Sequence, residues 1–392
     1  MDNLFYSILD MALAEQPLLT QLRREIHMRP GLGGDTFETA ATVARRLDAF
    51  GVEYRHIENS SAIIATIHGA GPGGCLALRA DMDGLPITEQ NDVPYKSVYE
   101  GKMHACGHDA HTAILAVTAK LLKQMSHRFN GCVKLFFQPA EESGGGALPM
   151  IEAGALDDPA VDYAAALHVD HTFETGRLAV KHGPVHAAST EINIKITGKR
   201  THGAHPESGV DSILAAAHVV TALQSVVSRS ISAHDNAVFS IGTINGGEAS
   251  NIIAPDVNMK CTLRSFDSKI KETCIGRIGQ ICRDIAAAFG AAGEIEVHES
   301  YPVCVNDRQM VDHFTAVVGS QNINVYDKPS MGSEDFAFFA GRVPSVYYGL
   351  GCRSEDMGMR HGHTPDFDID EGCMPYGVAA HCALTLRMLG TE

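Results

Sequence analysis

Leu18, Leu22 and Ile26 recur at helical spacing, and this stripe stops at Pro30-Gly31. Val43, Leu47 and Phe50 form a second stripe, ended by Gly51 where a left-handed cap belongs. Short apolar runs follow at 62–67 (AIIATI), 75–80 (CLALRA), 132–138 (CVKLFFQ) and 163–169 (YAAALHV). Between the middle two lies a long helical pattern, AHTAILAVTAKLLKQM. Continuous apolar strands separated by helices predict an α/β sheet covered on both faces. In such sheets chemistry gathers in loops at the carboxyl ends of strands. The polar clusters RADMDG, QPAEES and LHVDH each end one of these runs.

The pattern changes between 185 and 298. Ile192, Ile194 and Ile196 alternate strictly with polar residues, as do Val257, Met259, Cys261 and Leu263. That period of two marks strands buried on one face only. Ile275, Ile278, Cys282, Ile285 and Phe289 mark an amphipathic helix, and 211–227 reads as another. The order strand, helix, strand, strand, helix, strand describes a small α+β sandwich inserted into the first domain. The expected organisation is therefore a sheet domain over 1–184 and 299–392, interrupted by a second domain over 185–298. A length of 392 residues fits that division, at about 150 residues per domain.

Composition narrows the function. Lys and Arg number 31 against 47 Asp and Glu, a formal net charge of −16. A surface that acidic repels phosphate backbones and anionic lipid, so neither nucleic acid nor membrane is an expected partner. No apolar run approaches the ~20 residues of a membrane span, and the first residues lack a secretion-signal pattern, so a cytoplasmic setting is expected. The ten cysteines are scattered singly, mostly inside apolar segments, as reduced core thiols are. Cys106 is the exception.

MHACGHDAH (103–111) sets Cys106 and His108 two apart across a glycine, just before the long helix. Thiolate and imidazole are both good ligands for zinc and its neighbours. QPAEES pairs Glu141 and Glu142 ahead of three glycines, His168 ends the run AAALHV, and RHGHTPDFDIDE carries His361 and His363 before an acidic stretch placed to support them. Singly, each has an ordinary reading: a structural loop, a solvated acidic turn, a core histidine. Together, Cys106, His108, Glu142, His168 and His363 make five ligands at the mouth of one sheet. Five exceed the three protein ligands of a single catalytic zinc and suit two metals about 3.5–4 Å apart sharing a ligand and a water. Glu141, beside a ligand, is then placed to take the water's proton. Zinc is the first expectation for the pair of divalent ions, and manganese, cobalt or nickel fit the same donors.

This set resembles the hippurate hydrolase, aminoacylase and auxin-conjugate hydrolase branch of the dinuclear metallopeptidases, relatives of aminoacylase-1 and diaminopimelate desuccinylase. The resemblance runs through LRREIHMRP, LRADMDGLPITE, MHACGHDAHTA, FFQPAEE, LHV, GKRTHGAHP, SNIIAPD, GSEDFAFF and HTPDFDIDE. It implies a metallopeptidase-type α/β catalytic domain with an inserted α+β lid that also dimerises. It implies that Cys106 bridges the metals, that His108, Glu142, His168 and His363 complete the two sites, and that Glu141 is the general base. By the same resemblance His202 stabilises the oxyanion from a partner subunit, while Asn251 and Arg264 bind the substrate's carboxylate. The implied reaction is hydrolysis of the amide of an N-acyl amino acid by a homodimer or dimer of dimers. The alternatives are a dipeptidase or carboxypeptidase on the same site, and a non-catalytic metal- or ligand-binding homologue. Gly31, Gly34, Arg200-Thr201 and Glu207 depart from the usual residues of that branch, and bear on substrate preference rather than on reaction type. Of His361 and His363, the latter is chosen because it directly precedes Thr-Pro.

Overall fold

The apolar runs form the centre of an eight-stranded sheet in the computed structural model, which describes residues 2–391. The strand order is Glu53–His56, Ile63–His68, Cys132–Gln138, Cys75–Asp81, Tyr163–Glu174, Ser345–Arg353, Leu178–Val180 and Ile323–Val325. The four central strands run parallel, and antiparallel pairs flank them. Alternation along each strand assigns the faces. Leu76, Leu78 and Ala80, with Val133, Leu135 and Phe137, enter one large core with the helices Gln16–His27, Phe37–Phe50, His108–Gln124 and Met374–Leu389. On the opposite face, Phe136 packs its ring 5.3 Å from that of Phe339. Among the described residues no helix is long and apolar enough to cross a membrane.

The chain divides into two compact units. The first holds the large sheet and comprises the chain up to Val185, Val305–Pro329 and Asp335 onward. The second comprises His186–Cys304 and Ser330–Glu334. It extends beyond the 185–298 read from the sequence because its last strand, Ala292–Tyr301, runs past 298, and because Ala187 donates to the carbonyls of Ser330 and Gly332. It is built on an antiparallel sheet ordered Ala237–Gly246, Asp256–Ser265, Ala188–Thr197, Ala292–Tyr301. Val257 faces Ile196, Met259 faces Ile194 and Cys261 faces Ile192, so the alternating apolar positions meet on one face. The helices Ser212–Leu223 and Ser268–Ala288 cover it, their first turns capped by Asp211 and Asp267.

Two expectations are corrected. The helix expected over 211–227 breaks after Leu223 and restarts as Ser225–Ser230. The Ser225 hydroxyl donates to the Ala222 carbonyl there, competing with the helical ladder. His168 does not end its strand: the strand continues to Glu174, with His168 opposite Gly349. The apolar pattern stops because most residues beyond Val169 are half-buried or exposed, although the strand's hydrogen bonding runs on.

His27 reports on the packing of the first unit. Burial pulls its pKa down, but Asp109 at 2.7 Å and Glu89 at 3.2 Å outweigh burial and raise it to about 9. A raised histidine pKa gives stability that is complete below about 6.5 and is lost as pH climbs toward about 9, here up to about 3 kcal/mol. Chelator-treated protein should therefore lose thermal stability across pH 6.5–9, and His27→Gln should show a shallower slope, the remainder coming from His108, whose pKa is also raised. Parallel slopes for the two proteins would show that His27 is not the group responsible.

Candidate metal centre

Three backbone features aim the candidate residues. Gly107 adopts a left-handed φ of 95° and passes so near the neighbouring strand that a Cβ there would stand 2.3 Å from Val169. That turn lets Cys106 precede and His108 open the helix His108–Gln124. After the strand Cys132–Gln138 the chain reverses through Ala140, a non-glycine residue at φ 62°. Asp83 fixes the result by accepting the backbone N–H groups of Glu141 (3.0 Å) and Glu142 (3.1 Å). His363 is also left-handed, at φ 65°, and its N–H donates to the Ala105 carbonyl at 2.7 Å.

The structure brings all five expected ligands and Glu141 together. Donor atoms of Cys106, His108 and His168 lie within 4.8 Å of one another, as do those of Cys106, Glu142 and His363, and those of His108, Glu141 and Glu142. Cys106 is common to the first two groups. Its sulfur is 3.3 Å from His168 Nε2, and His363 Nε2 is 3.2 Å from Glu142 Oε1. Atoms bound at 2.0–2.3 Å to one tetrahedral ion stand roughly 3.5 Å apart, close to these spacings. His168 Nδ1 donates to the Val169 carbonyl at 2.7 Å, which leaves Nε2 as the free lone pair facing Cys106. His361 instead sets its ring edge-to-face with that of His171, 4.4 Å between centroids, and it is His363 that joins the cluster.

The donor set fits divalent cations. Both ring nitrogens of His108 are buried without a hydrogen-bond partner, although carboxylates approach the ring at 3.4–3.9 Å. Buried polar atoms are rarely left so, and an imidazole with neither nitrogen satisfied, beside a thiol and a carboxylate, fits a group that accepts a ring lone pair. Electrostatics agree. Burial disfavours the charged form of His108, yet Asp81 and Cys106 drive its pKa well above the ordinary value, so the surroundings demand positive charge. Burial would likewise raise Glu142, but His363 and His108 hold it down at about 2. Burial raises the Cys106 thiol, which needs a cation beside it to ionise.

Several residues that build the centre were not read from the sequence. Asp81 ends the strand Cys75–Asp81, accepts from Arg79 (2.6 Å) and His111 (2.7 Å), and lies 3.8 Å from His108 Nε2. His111 Nε2 in turn accepts the Val169 N–H at 2.9 Å, beside His168. The buried Asp335 binds Arg79 at 2.6 Å and takes the N–H groups of Gly146 and Ala147, anchoring the far end of the Glu141–Glu142 loop. RADMDG and GSEDFAFF signalled these carboxylates, but their partners are distant in sequence. In the acidic stretch after His363, Asp366 pairs with Arg360, while Asp368 and Glu371 bind Arg23 and Arg24.

The remaining three candidates lie in the second unit. His202 pairs with Ile252 in a two-stranded ribbon, and Gly203 donates to the Asn251 carbonyl at 2.7 Å, so His202 and Asn251 are neighbours. His202 is exposed, and its Nδ1 accepts the Ala204 N–H at 3.0 Å, which leaves Nε2 as the donor of the neutral ring. Arg264 lies on a different element, the strand Asp256–Ser265, is half-buried, and donates to the Ser333 hydroxyl at 2.5 Å.

Comparison with known proteins places this geometry. The chain is 36% identical over 374 residues to thermostable carboxypeptidase 2 of Saccharolobus solfataricus, covering 94% of this chain and 95% of that one. It is 36% identical over 354 residues to the N-acetyl-L-cysteine deacetylase of Bacillus subtilis, covering 90% and 84%. A solved structure described as a dinuclear metal-binding peptidase of the M20 family, from Bacillus subtilis, superposes with a TM-score of 0.84 at 30% identity, covering 96% of this chain and 99% of that one. The family model described as peptidase family M20/M25/M40 matches residues 77–387, a span that contains every candidate ligand, and the chain belongs to that family.

Proposed function

We propose that the protein is a metal-dependent amidohydrolase that cleaves the amide bond of N-acyl amino acids. One observation carries this reading: five donors of zinc-binding type converge round buried atoms that lack partners, with Glu141 beside them. Cys106, His108, Glu142, His168 and His363 would hold two divalent ions, with Cys106 shared and zinc the first candidate. When bound, such ions polarise a carbonyl and bring the pKa of water to about 7. Glu141 takes a proton from the attacking water and delivers it to the leaving nitrogen as the C–N bond breaks, giving a carboxylate and a free amino acid. His202, with Nε2 as its donor, meets the oxyanion, and the Arg264 guanidinium with Asn251 receives the substrate's carboxylate. The second unit is the lid and the dimer contact in this reading.

The relative named as a carboxypeptidase favours a second reading on the same site. Both substrates end in an amino acid with a free carboxylate and differ only in what lies across the scissile amide. A screen of acetyl-, benzoyl- and longer acyl-amino acids beside blocked dipeptides separates them.

Glu141→Gln keeps the shape of the base but cannot accept a proton. Hydrolysis should fall by about 10²-fold or more while metal content stays normal. Glu142→Ala should lose metal as well as activity. Near wild-type turnover in the Gln variant would reassign the base.

Cys106 offers a test without substrate. As a metal-bound thiolate it should resist iodoacetamide in the holo-protein and react after chelation. Peptide mapping with and without EDTA reads this directly, and equal labelling in both samples would count against ligation.

If His202 acts in trans, a His202→Ala chain retains an intact centre and a Glu141→Gln chain can still offer its histidine. Mixed dimers of these two nearly inactive proteins then contain one complete site and should regain up to about half the wild-type rate. Loss of one oxyanion donor costs about 10²–10³ in rate, so a modest heterodimer fraction stands above background. Verified heterodimers as inactive as their parents would remove the trans role.

A further inference from the structure

Two of the motifs, LRREIHMRP and HTPDFDIDE, contribute only His363 to the chemistry above, yet they meet in the interior. Arg23, from the helix Gln16–His27, is fully buried. Its Nε donates to Asp109 at 2.8 Å, its Nη2 to Asp368 at 2.6 Å, and its Nη1 to Glu371 at 3.2 Å. Asp109 adjoins His108 in the first turn of its helix, and Asp368 and Glu371 end the segment that begins at His363. One guanidinium thus grips the two stretches of chain that present His108 and His363.

We propose that Arg23 is a positioning residue for the metal centre, its planar fork setting the separation of the His108-bearing helix start and the His363-bearing segment. The inference rests on the ligand assignment proposed above. Three details support it. The donors of a guanidinium are fixed in one plane, so three acceptors bound to it are fixed relative to one another. Each carboxylate is further held: Asp109 by His27 Nδ1 at 2.7 Å, Asp368 by the Tyr95 hydroxyl at 2.8 Å, and Glu371 by both arms of Arg24. And His363 is kept in a left-handed conformation that a side chain adopts only under constraint. The segment after it is therefore built to hold a strained ligand still. A buried cluster of this kind is a poor way to gain stability, since burying charge costs about as much as pairing returns. Fixing geometry accounts for it better.

Arg23→Lys keeps the charge but offers one ammonium where three separated donors stood. Zn²⁺ affinity, measured by competition with a chromophoric chelator well below the melting temperature of the metal-free protein, should drop about 10–100-fold for one of the two ions. His363→Ala, run alongside, should weaken the same ion. A folded Arg23→Lys protein that binds both ions with wild-type affinity, whatever its melting temperature, overturns the inference. If that variant does not fold, Tyr95→Phe decides, since it removes only the hydroxyl bound to Asp368. A several-fold weakening of that ion sustains the inference and unchanged affinity overturns it. Should His363→Ala itself keep both ions at wild-type affinity, the ligand assignment fails first, and this inference falls with it.

Discussion

Four carboxylates, those of Asp81, Asp83, Glu141 and Glu142, and the Cys106 sulfur stand close to one buried imidazole, His108. Like charges in a poorly solvated interior repel strongly, and burial alone would protonate such acids. The fold answers by assigning fixed donors to the two aspartates. Asp81 is held by Arg79 and His111, and Asp83 by the two N–H groups of the Glu141–Glu142 loop. The His108 ring, between Cys106 and Glu142, is where unpartnered atoms lie. The local demand for positive charge is thus concentrated where the proposed ions would sit.

The same logic runs outward from the centre. Arg79 joins Asp81 to Asp335, and Asp335 holds the end of the catalytic loop. Arg23 joins Asp109 to Asp368 and Glu371. Two buried arginines therefore tie together the elements that carry the candidate ligands. Backbone strain is spent at the same points. Gly107, Ala140 and His363 all have positive φ, and each directs or adjoins a candidate residue. Strained backbone persists only where its surroundings over-determine it, and here hydrogen bonds to the Asp83 carboxylate and to the Ala105 carbonyl do so.

Much of this was legible in the sequence, for a physical reason. Strands buried on both faces must be apolar throughout, so the runs at 75–80 and 132–138 announced the central strands. Ligands with distinctive chemistry, Cys106 and the histidines, announced themselves by residue type. The supporting acids did not, because Asp and Glu are abundant and a carboxylate's role is set by its partner. Nothing local in RADMDG says that Arg79 reaches Asp335, or that Asp83 caps the loop at Glu141. The acidic stretch after His363 shows the same limit: its charges were visible, but Arg23 and Arg24, which claim Asp368 and Glu371, lie near the other end of the chain. His168 was placed at a strand end because hydrophobicity marks where a core stops, which need not be where hydrogen bonding stops.

The division of labour proposed for the two units follows from what each chemical task requires. Holding ions demands donors fixed to tenths of an ångström, and the first unit gathers its candidate donors beside the central strands, where buried arginines remove freedom. Recognising a substrate demands groups that remain available, and His202 and Asn251, proposed for that task, are exposed at a two-stranded ribbon. The tautomer of His202 is nonetheless already chosen, by one hydrogen bond from Ala204. Arg264 is intermediate: half-buried, its guanidinium engages only the neutral Ser333 hydroxyl among the hydrogen bonds described. A carboxylate brought to it gains a charge-assisted bond without first having to displace a competing acid.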